Sequence, residues 1–270
     1  MISDIALGQY FPAKSLVHRT DPRLKIVWTV FVIVMIFTAG NFFSLALAAG
    51  YILLGMLLSR VPVRMYLKAM KPILILIIFT AVLNMFYGTG EPVWQWGFLK
   101  ITRQGILNSV FVTLRIILLI LASSTLTFTT SPTQLTDALE RLLKPLALLH
   151  VPVHEFAMMM TIALRFVPTL LEETDKIMSA QKARGADMES GGLLQRIKAL
   201  VPVLIPLFVS AFRRAFDLAT AMESRCYHGG KGRTKMKILR FVGSDWLVLA
   251  SMALVLAGCV ALNVGLGPVS

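Results

Sequence analysis

Two arginines stand out by what surrounds them. Arg184 lies between Ala183 and Gly185, Arg225 lies between Ser224 and Cys226, and the two are 41 residues apart. A guanidinium presents a rigid fork of donors that grips a carboxylate through two hydrogen bonds at once, which a lysine cannot imitate. The plainer use of an arginine at a helix end is local. There it meets the unpaired carbonyls and partial negative charge of the last turn, for about 0.3 to 1 kcal/mol. Either use requires a helix that ends at the arginine.

Other reactive side chains point to less. His150, His154 and Glu155 faintly suggest a metal site, but Pro152 between the histidines disfavours one regular helical face, so a helix junction is the stronger reading. Cys226 and Cys259 match neither a metal-site spacing nor a disulfide framework. His18, Arg19, Asp21 and Arg23, stiffened by Pro22, read as a fixed turn in which Asp21 pairs with a neighbouring base; no nucleophile with its base is visible. No G-x-x-x-x-G-K-[ST] phosphate loop occurs, so the chain is not expected to be an ATPase itself.

The elements that must position the two arginines are long helices. A helical run over residues 153–184 opens on Phe156, Met158, Met159, Met160 and Phe166 and closes on Glu172, Glu173, Asp175 and Lys182. At 1.5 Å per residue it is about 48 Å long, greasy at one end and wet at the other. Pro168 should bend it, and Gly185 should supply a left-handed stop. A second run over residues 193–226 repeats the design, with Pro202 and Pro206 inside, an apolar middle reaching Phe212, and a polar end with Arg213, Arg214, Asp217 and Glu223. Before both, Ser131 and Pro132 read as N-cap and first residue of a shorter amphipathic helix carrying Leu135, Leu139, Leu142, Leu143 and Leu146.

The rest of the chain reads as membrane. Of 270 residues 56% are apolar and 15% charged, with a mean hydropathy of +0.74, which excludes a water-soluble globule. A net charge of +13 could suggest a nucleic-acid binder, but the basic residues sit between apolar runs, as the positive-inside rule requires, so no nucleic acid is expected as a partner. Five apolar runs approach the length of a span: 24–39, 42–58, 73–87, 106–128 and 246–266.

Orientation follows from Lys and Arg counts. Arg19 and Arg23 precede the first run and Lys25 lies at its start; Arg60, Arg64, Lys68 and Lys71 separate the second from the third; and residues 131–240 carry 16 basic and 10 acidic groups. These segments are expected inside. Gly40, Asn41 and the stretch with Trp94 and Trp96 are expected outside, leaving a cytoplasmic N-terminus and an extracellular C-terminus. Residues 1–23 show no apolar signal-peptide core, so the first span is expected to insert unaided.

The expected fold is thus an all-α polytopic membrane protein with about five transmembrane helices and three amphipathic cytoplasmic helices, two of them long. Residues 1–130 form an N-terminal membrane region with four spans, 131–240 a cytoplasmic coupling-helix region, and 241–270 a last transmembrane helix. Apart from Lys25 at the start of the first run, Arg115 is the one Asp, Glu, Lys or Arg inside the five runs, and it reads as an anchor to a neighbouring helix or interface. Ala46 with Gly50, and Ala253, Ala257 and Ala261, have the small-residue spacing that permits close helix approach within the subunit.

Four stretches carry a resemblance: GQYFPAKSLVHRTDPRLK at 8–25, TTSPTQLTDALERLLKPL at 129–146, VPVHEFAMMMTIALRFVPTLLEETDKIMSAQKARGAD at 151–187, and MESRCYHGGKGRTKMK at 222–237. In this order they resemble the transmembrane T component of energy-coupling-factor (ECF) transporters, the EcfT family, and the opening is most similar to the shared-module type. The family's hallmark X-Arg-X tripeptides fall on Ala183, Arg184 and Gly185, and on Ser224, Arg225 and Cys226; the second keeps its arginine but not the favoured flanks.

The resemblance implies a non-catalytic subunit of an ATP-driven vitamin or micronutrient uptake transporter in the cell membrane. Each tripeptide would dock on one of two cytoplasmic ABC-type ATPase subunits, which would hold the ATP and Mg; no cofactor is expected in this chain. The apolar arms would cradle a membrane-embedded substrate-binding S component, or several that exchange, with Met158, Met159, Met160 and Phe166 as contact candidates. Adaptable thioethers suit varied partners, and they equally suit ordinary apolar packing. A self-sufficient carrier or channel is the alternative, though it would normally place ionisable residues along a path through the spans.

Overall fold

In the computed structural model, residues 10–86, 92–96, 99–186, 192–230 and 243–266 are described. Tyr87, Met188, the first nine residues of the sequence and the expected region boundary at residue 240 lie outside them. Two compact units emerge. One takes residues up to 138 together with the C-terminal helix, the other residues 139–230 of those described.

The first unit begins with a short α1 (Leu16–Arg19), then α2 (Pro22–Thr38) and α3 (Phe42–Ser59). Asp21 caps α2 by accepting the Arg23 N–H at 2.9 Å, with Pro22 in its first turn. Asn41 and Ser44 cap α3 reciprocally. Next come α4 (Val63–Met70), a 3-10 turn at Lys71–Ile73 and α5 (Leu74–Phe86). The basic stretch between the second and third runs is therefore helical, with Tyr66 buried and Arg64 and Lys68 exposed. Strands β1 (Pro92–Trp96) and β2 (Leu99–Thr102) pair antiparallel, Trp96 opposite Leu99 and Trp94 opposite Ile101. Helix α6 (Arg103–Thr129) follows, and α10 (Gly243–Leu266) completes the unit.

Its core gathers Val32, Met35 and Ile36 of α2, Leu45, Ala48 and Ile52 of α3, Phe111, Leu118 and Ala122 of α6, and Val255 and Cys259 of α10. Arg115 donates through Nη2 to the Ala39 carbonyl at 2.8 Å, and its guanidinium lies 4.8 Å from the Phe111 ring centre. It anchors the end of α2, as its isolation suggested. The small-residue stripes do not make the helix contacts expected of them: Ala46, Gly50, Ala253, Ala257 and Ala261 are exposed, and a Cβ on Gly50 would meet nothing. The close approaches are Gly258 against Leu47 and Gly55 against Trp28, because the buried face of each helix is the neighbouring one.

A polar knot ties the chain ends of this unit together. Asp21 pairs with Arg23 at 2.6 Å, and its own N–H donates to Oδ1 of the fully buried Asp245 at 3.3 Å. Lys25 Nζ donates to the carbonyls of Thr129 at 2.9 Å and His18 at 3.4 Å. The imidazole of His18 bridges the Phe11 carbonyl at 2.9 Å and the Ser15 hydroxyl at 2.7 Å.

Helix α7 (Pro132–Leu142) leads on, with Ser131 accepting the Gln134 N–H at 3.3 Å. It stops earlier than the leucine spacing implied. Pro145 holds Lys144–Leu149 in a 3-10 turn that ends at His150 with φ +62°. Beyond it lie α8 (Val153–Ala183) and α9 (Leu193–Glu223), which pack against each other.

Among the described residues five helical stretches are long and apolar enough to cross a membrane: Phe42–Ser59, Val63–Phe86, Arg103–Thr129, Ile197–Glu223 and Asp245–Gly265. The number matches the sequence reading, but the membership shifts. Helix α2 has 17 residues, about 25 Å of rise, and most of α9 qualifies where a cytoplasmic helix was expected. The protein is an all-α polytopic membrane protein with one small β-ribbon.

Candidate functional site

The candidate site is built from the ends of α8 and α9. Helix α8 runs on through Pro168 to Ala183. Past Arg184 the chain turns in a Schellman motif: the Gly185 N–H donates to the Lys182 carbonyl and the Ala186 N–H to the Gln181 carbonyl, both at 3.0 Å. Gly185 takes φ +87°, a backbone region that glycine enters without a Cβ penalty.

The end of α9 is the same device. The Cys226 N–H donates to the Glu223 carbonyl at 2.9 Å and the Tyr227 N–H to the Met222 carbonyl at 3.0 Å. Here Cys226 takes the left-handed position, at φ +56°. The two tripeptides therefore share one backbone form despite their different flanks. In both, the arginine is the residue just before the left-handed turn, and Arg184 and Arg225 are both exposed.

The contacts between the helices fix how these ends are presented. Glu173 of α8 accepts from the Ser210 hydroxyl and from Arg214 Nη2, the latter at 2.7 Å. Eight residues further along α8, Gln181 Nε2 donates to the Pro202 carbonyl at 3.1 Å. That carbonyl needs a donor from outside its helix, since Pro206, four residues on, has no N–H to offer. Moving up α8 thus means moving down α9, so the helices run in opposite directions and their arginine ends leave the contact on opposite sides. From Pro202 to the end of α9 at Glu223 is about 32 Å at the usual rise.

The second end is braced by its own unit. His154 Nδ1 lies 3.1 Å from Glu140 Oε1, and Gly230 passes so close that a Cβ there would stand 2.4 Å from the His154 ring. His154 thus supports the strand of chain beyond Arg225, while His150 forms the turn before α8. This is the junction role, and it uses both histidines separately.

The apolar arms are largely uncovered. Met159 and Met160 are exposed, and Met158 and Phe166 half-buried. Sequence reasoning placed the contact candidates on α8 alone and passed over a longer stripe on α9: Ile197, Val201, Ile205, Phe208, Phe212 and Phe216, all exposed. Their three- and four-residue spacing puts them on one face, and that spacing was present in the sequence. Exposed apolar surface on this scale marks a lipid or partner contact.

Comparison with known proteins agrees with this architecture. The family described as CbiQ, cobalt transport protein, matches residues 13–236. Three relatives carry the name energy-coupling factor transporter transmembrane protein EcfT. That of Ruminiclostridium cellulolyticum is 52% identical over 248 residues, covering 92% of this chain and 93% of its own. Those of Clostridium kluyveri and Bacillus subtilis are 49% and 45% identical, covering 97% and 95% of this chain and 97% of each relative. With the paired arginine ends and the membrane-length helices already in view, these matches establish that the chain belongs to the EcfT (CbiQ) family of transporter transmembrane proteins.

Proposed function

We propose that this chain is the energy-coupling membrane subunit of an ATP-driven ECF-type vitamin or micronutrient uptake transporter, linking two cytoplasmic ABC-type ATPase subunits to a substrate-binding S component. The observation that carries the proposal is the pair of matched helix ends. Two exposed arginines, each set just before a left-handed turn, leave a braced helix pair on opposite sides, a spacing suited to two separate partners. ATP and Mg belong to those partners; this chain supplies no phosphate loop.

Mechanically, closure of the ATPase pair changes the separation of Arg184 and Arg225. Helices α8 and α9 are stiff, and the Glu173 clip with Ser210 and Arg214 joins them near mid-length. A displacement at the tips is therefore delivered to the apolar arms around Met158, Met159, Met160, Phe166 and the α9 stripe, where an S component is held or released. The membrane orientation that serves this has the N-terminus and arginine ends in the cytoplasm and the C-terminus outside.

Each arginine contact to a charged or polar groove contributes about 1.5 to 3 kcal/mol. Arg184→Ala with Arg225→Ala is expected to abolish co-purification of the ATPases, and Arg184→Lys to leave transport incomplete because the fork is lost. Wild-type ATPase binding and uptake by the double variant would end the proposal. A self-sufficient carrier or channel makes the opposite claim, that the purified chain moves solute alone in lipid vesicles.

A further inference from the structure

We infer that the end of α3 carries a binding site for an anionic phospholipid, its headgroup in a cleft of Lys14, Arg19 and Arg60 and part of one acyl chain in the groove beneath. The groove is lined by Trp28, Leu54, Leu58, Leu126 and Val248 among others and has a volume of about 110 Å³, room for part of one acyl chain and not for a whole ligand. Its walls are mostly hydrocarbon. Tyr51 Oη and Ser251 Oγ, 3.0 Å apart, satisfy each other there.

The cleft beside it is of the opposite character. Lys14, Ser15, Arg19 and Arg60 line it with Leu16, Leu57 and Leu58. Leu58 is common to both cavities, so the cationic cleft adjoins the apolar groove at that side chain. All three cations are exposed, and among the described residues none has a carboxylate partner within ion-pair distance. Arg60 is the residue at which the membrane-length α3 ends, in the left-handed conformation with φ +56°, so the cleft lies at a bilayer boundary whichever way the chain is inserted.

The juxtaposition selects the ligand. A soluble anion has no use for the groove, and a neutral apolar molecule none for three cations. A zwitterionic phospholipid brings its own ammonium, which competes with the arginines for the phosphate. A lipid of net negative charge satisfies both halves, and the bilayer supplies it at the site. Leu54 and Leu57, more than half exposed, flank the path of the chain between them.

Trp28 on the groove wall makes the test direct. In the full chain with Trp94, Trp96 and Trp246 replaced by Phe, Trp28 is the last of the four tryptophans. Phosphatidylcholine vesicles carrying brominated phosphatidylglycerol are expected to quench it at on the order of ten-fold lower mole fraction than brominated phosphatidylethanolamine. Lys14→Gln, Arg19→Gln and Arg60→Asn together should bring the two lipids level, Asn being chosen because it tolerates the left-handed backbone. A second readout needs no charge substitution: raising the salt should shrink the preference as the charges are screened. Equal quenching by the two lipids, or a preference unmoved by both the triple variant and salt, would overturn the inference.

Discussion

Gly185 and Cys226 hold the same place in the two arginine ends: each is the left-handed residue of a Schellman turn and each follows its arginine directly. The chemistry of the two residues differs, yet the carbonyls they satisfy and the arginines they place do not. A left-handed L-residue with a Cβ costs about 1 to 2 kcal/mol, so the α9 end keeps its turn against a strain that the α8 end lacks.

That difference predicts opposite outcomes for two substitutions. Gly185→Ala adds a Cβ into open space, so its cost is backbone strain alone, about 1 to 2 kcal/mol at the α8 end. Cys226→Gly should relieve strain of similar size, less the entropy that glycine restores to the unfolded chain. Hydrogen exchange of the capping amides reads both: the Ala186 N–H should exchange faster in Gly185→Ala, and the Tyr227 N–H no faster in Cys226→Gly.

Gly230 makes a steric prediction. Its absent Cβ would lie 2.4 Å from a ring that Glu140 holds at 3.1 Å, so Gly230→Ala must displace either the chain after Arg225 or the imidazole. Overpacking of this kind costs about 1 to 3 kcal/mol. His154→Ala should restore the thermal stability lost in Gly230→Ala by making room, and a double variant no more stable than Gly230→Ala would contradict the contact.

His18 predicts a pH dependence. Burial holds its imidazole below the ordinary 6.5, with the nearby Lys25 charge acting the same way, partly opposed by the bond to the Phe11 carbonyl. The folded state therefore favours the neutral ring, whose Nε2–H donates to Phe11 while Nδ1 accepts from Ser15. Stability from this source is complete above pH 6.5 and is lost as the pH falls below it towards the lowered folded value. Thermal unfolding followed from neutral to mildly acid pH should show a loss that His18→Gln, though less stable at neutral pH, does not.

Much of this was legible from the residues, for physical reasons that also mark where legibility ends. Ser131 before Pro132 and Gly185 after Arg184 announce helix ends because local backbone chemistry alone decides them. Cys226 carries no such signal; only the hydrogen bonds of its turn reveal the left-handed form. The outward-facing Ala46 and Gly50 were misread because spacing shows that a face is small, while burial depends on which face the partner helix meets. Asp245, the single acidic residue after residue 240, could be noticed as isolated, but its bond to the Asp21 amide spans 224 positions of sequence, which no local pattern encodes. The ribbon at Pro92–Trp96 and Leu99–Thr102 lies in a stretch that was read only for the side of the membrane its Trp94 and Trp96 imply.

The α9 stripe separates partner contact from lipid contact. Phe212 and Phe216 are 72% and 73% exposed, and each contributes about 1.5 to 3 kcal/mol where a partner buries it fully. If the stripe holds an S component, Phe212→Gln with Phe216→Gln should lose that component on purification yet keep the ATPases, since Arg184 and Arg225 and their turns are untouched. Phe→Leu at both positions should retain part of the S component, because most of the buried hydrocarbon remains. Facing lipid alone, the same glutamines would lower membrane insertion of the chain and leave the ratio of S component to ATPase unchanged. That ratio, measured in the purified complex, is therefore the quantity that decides what the uncovered face of α9 is for.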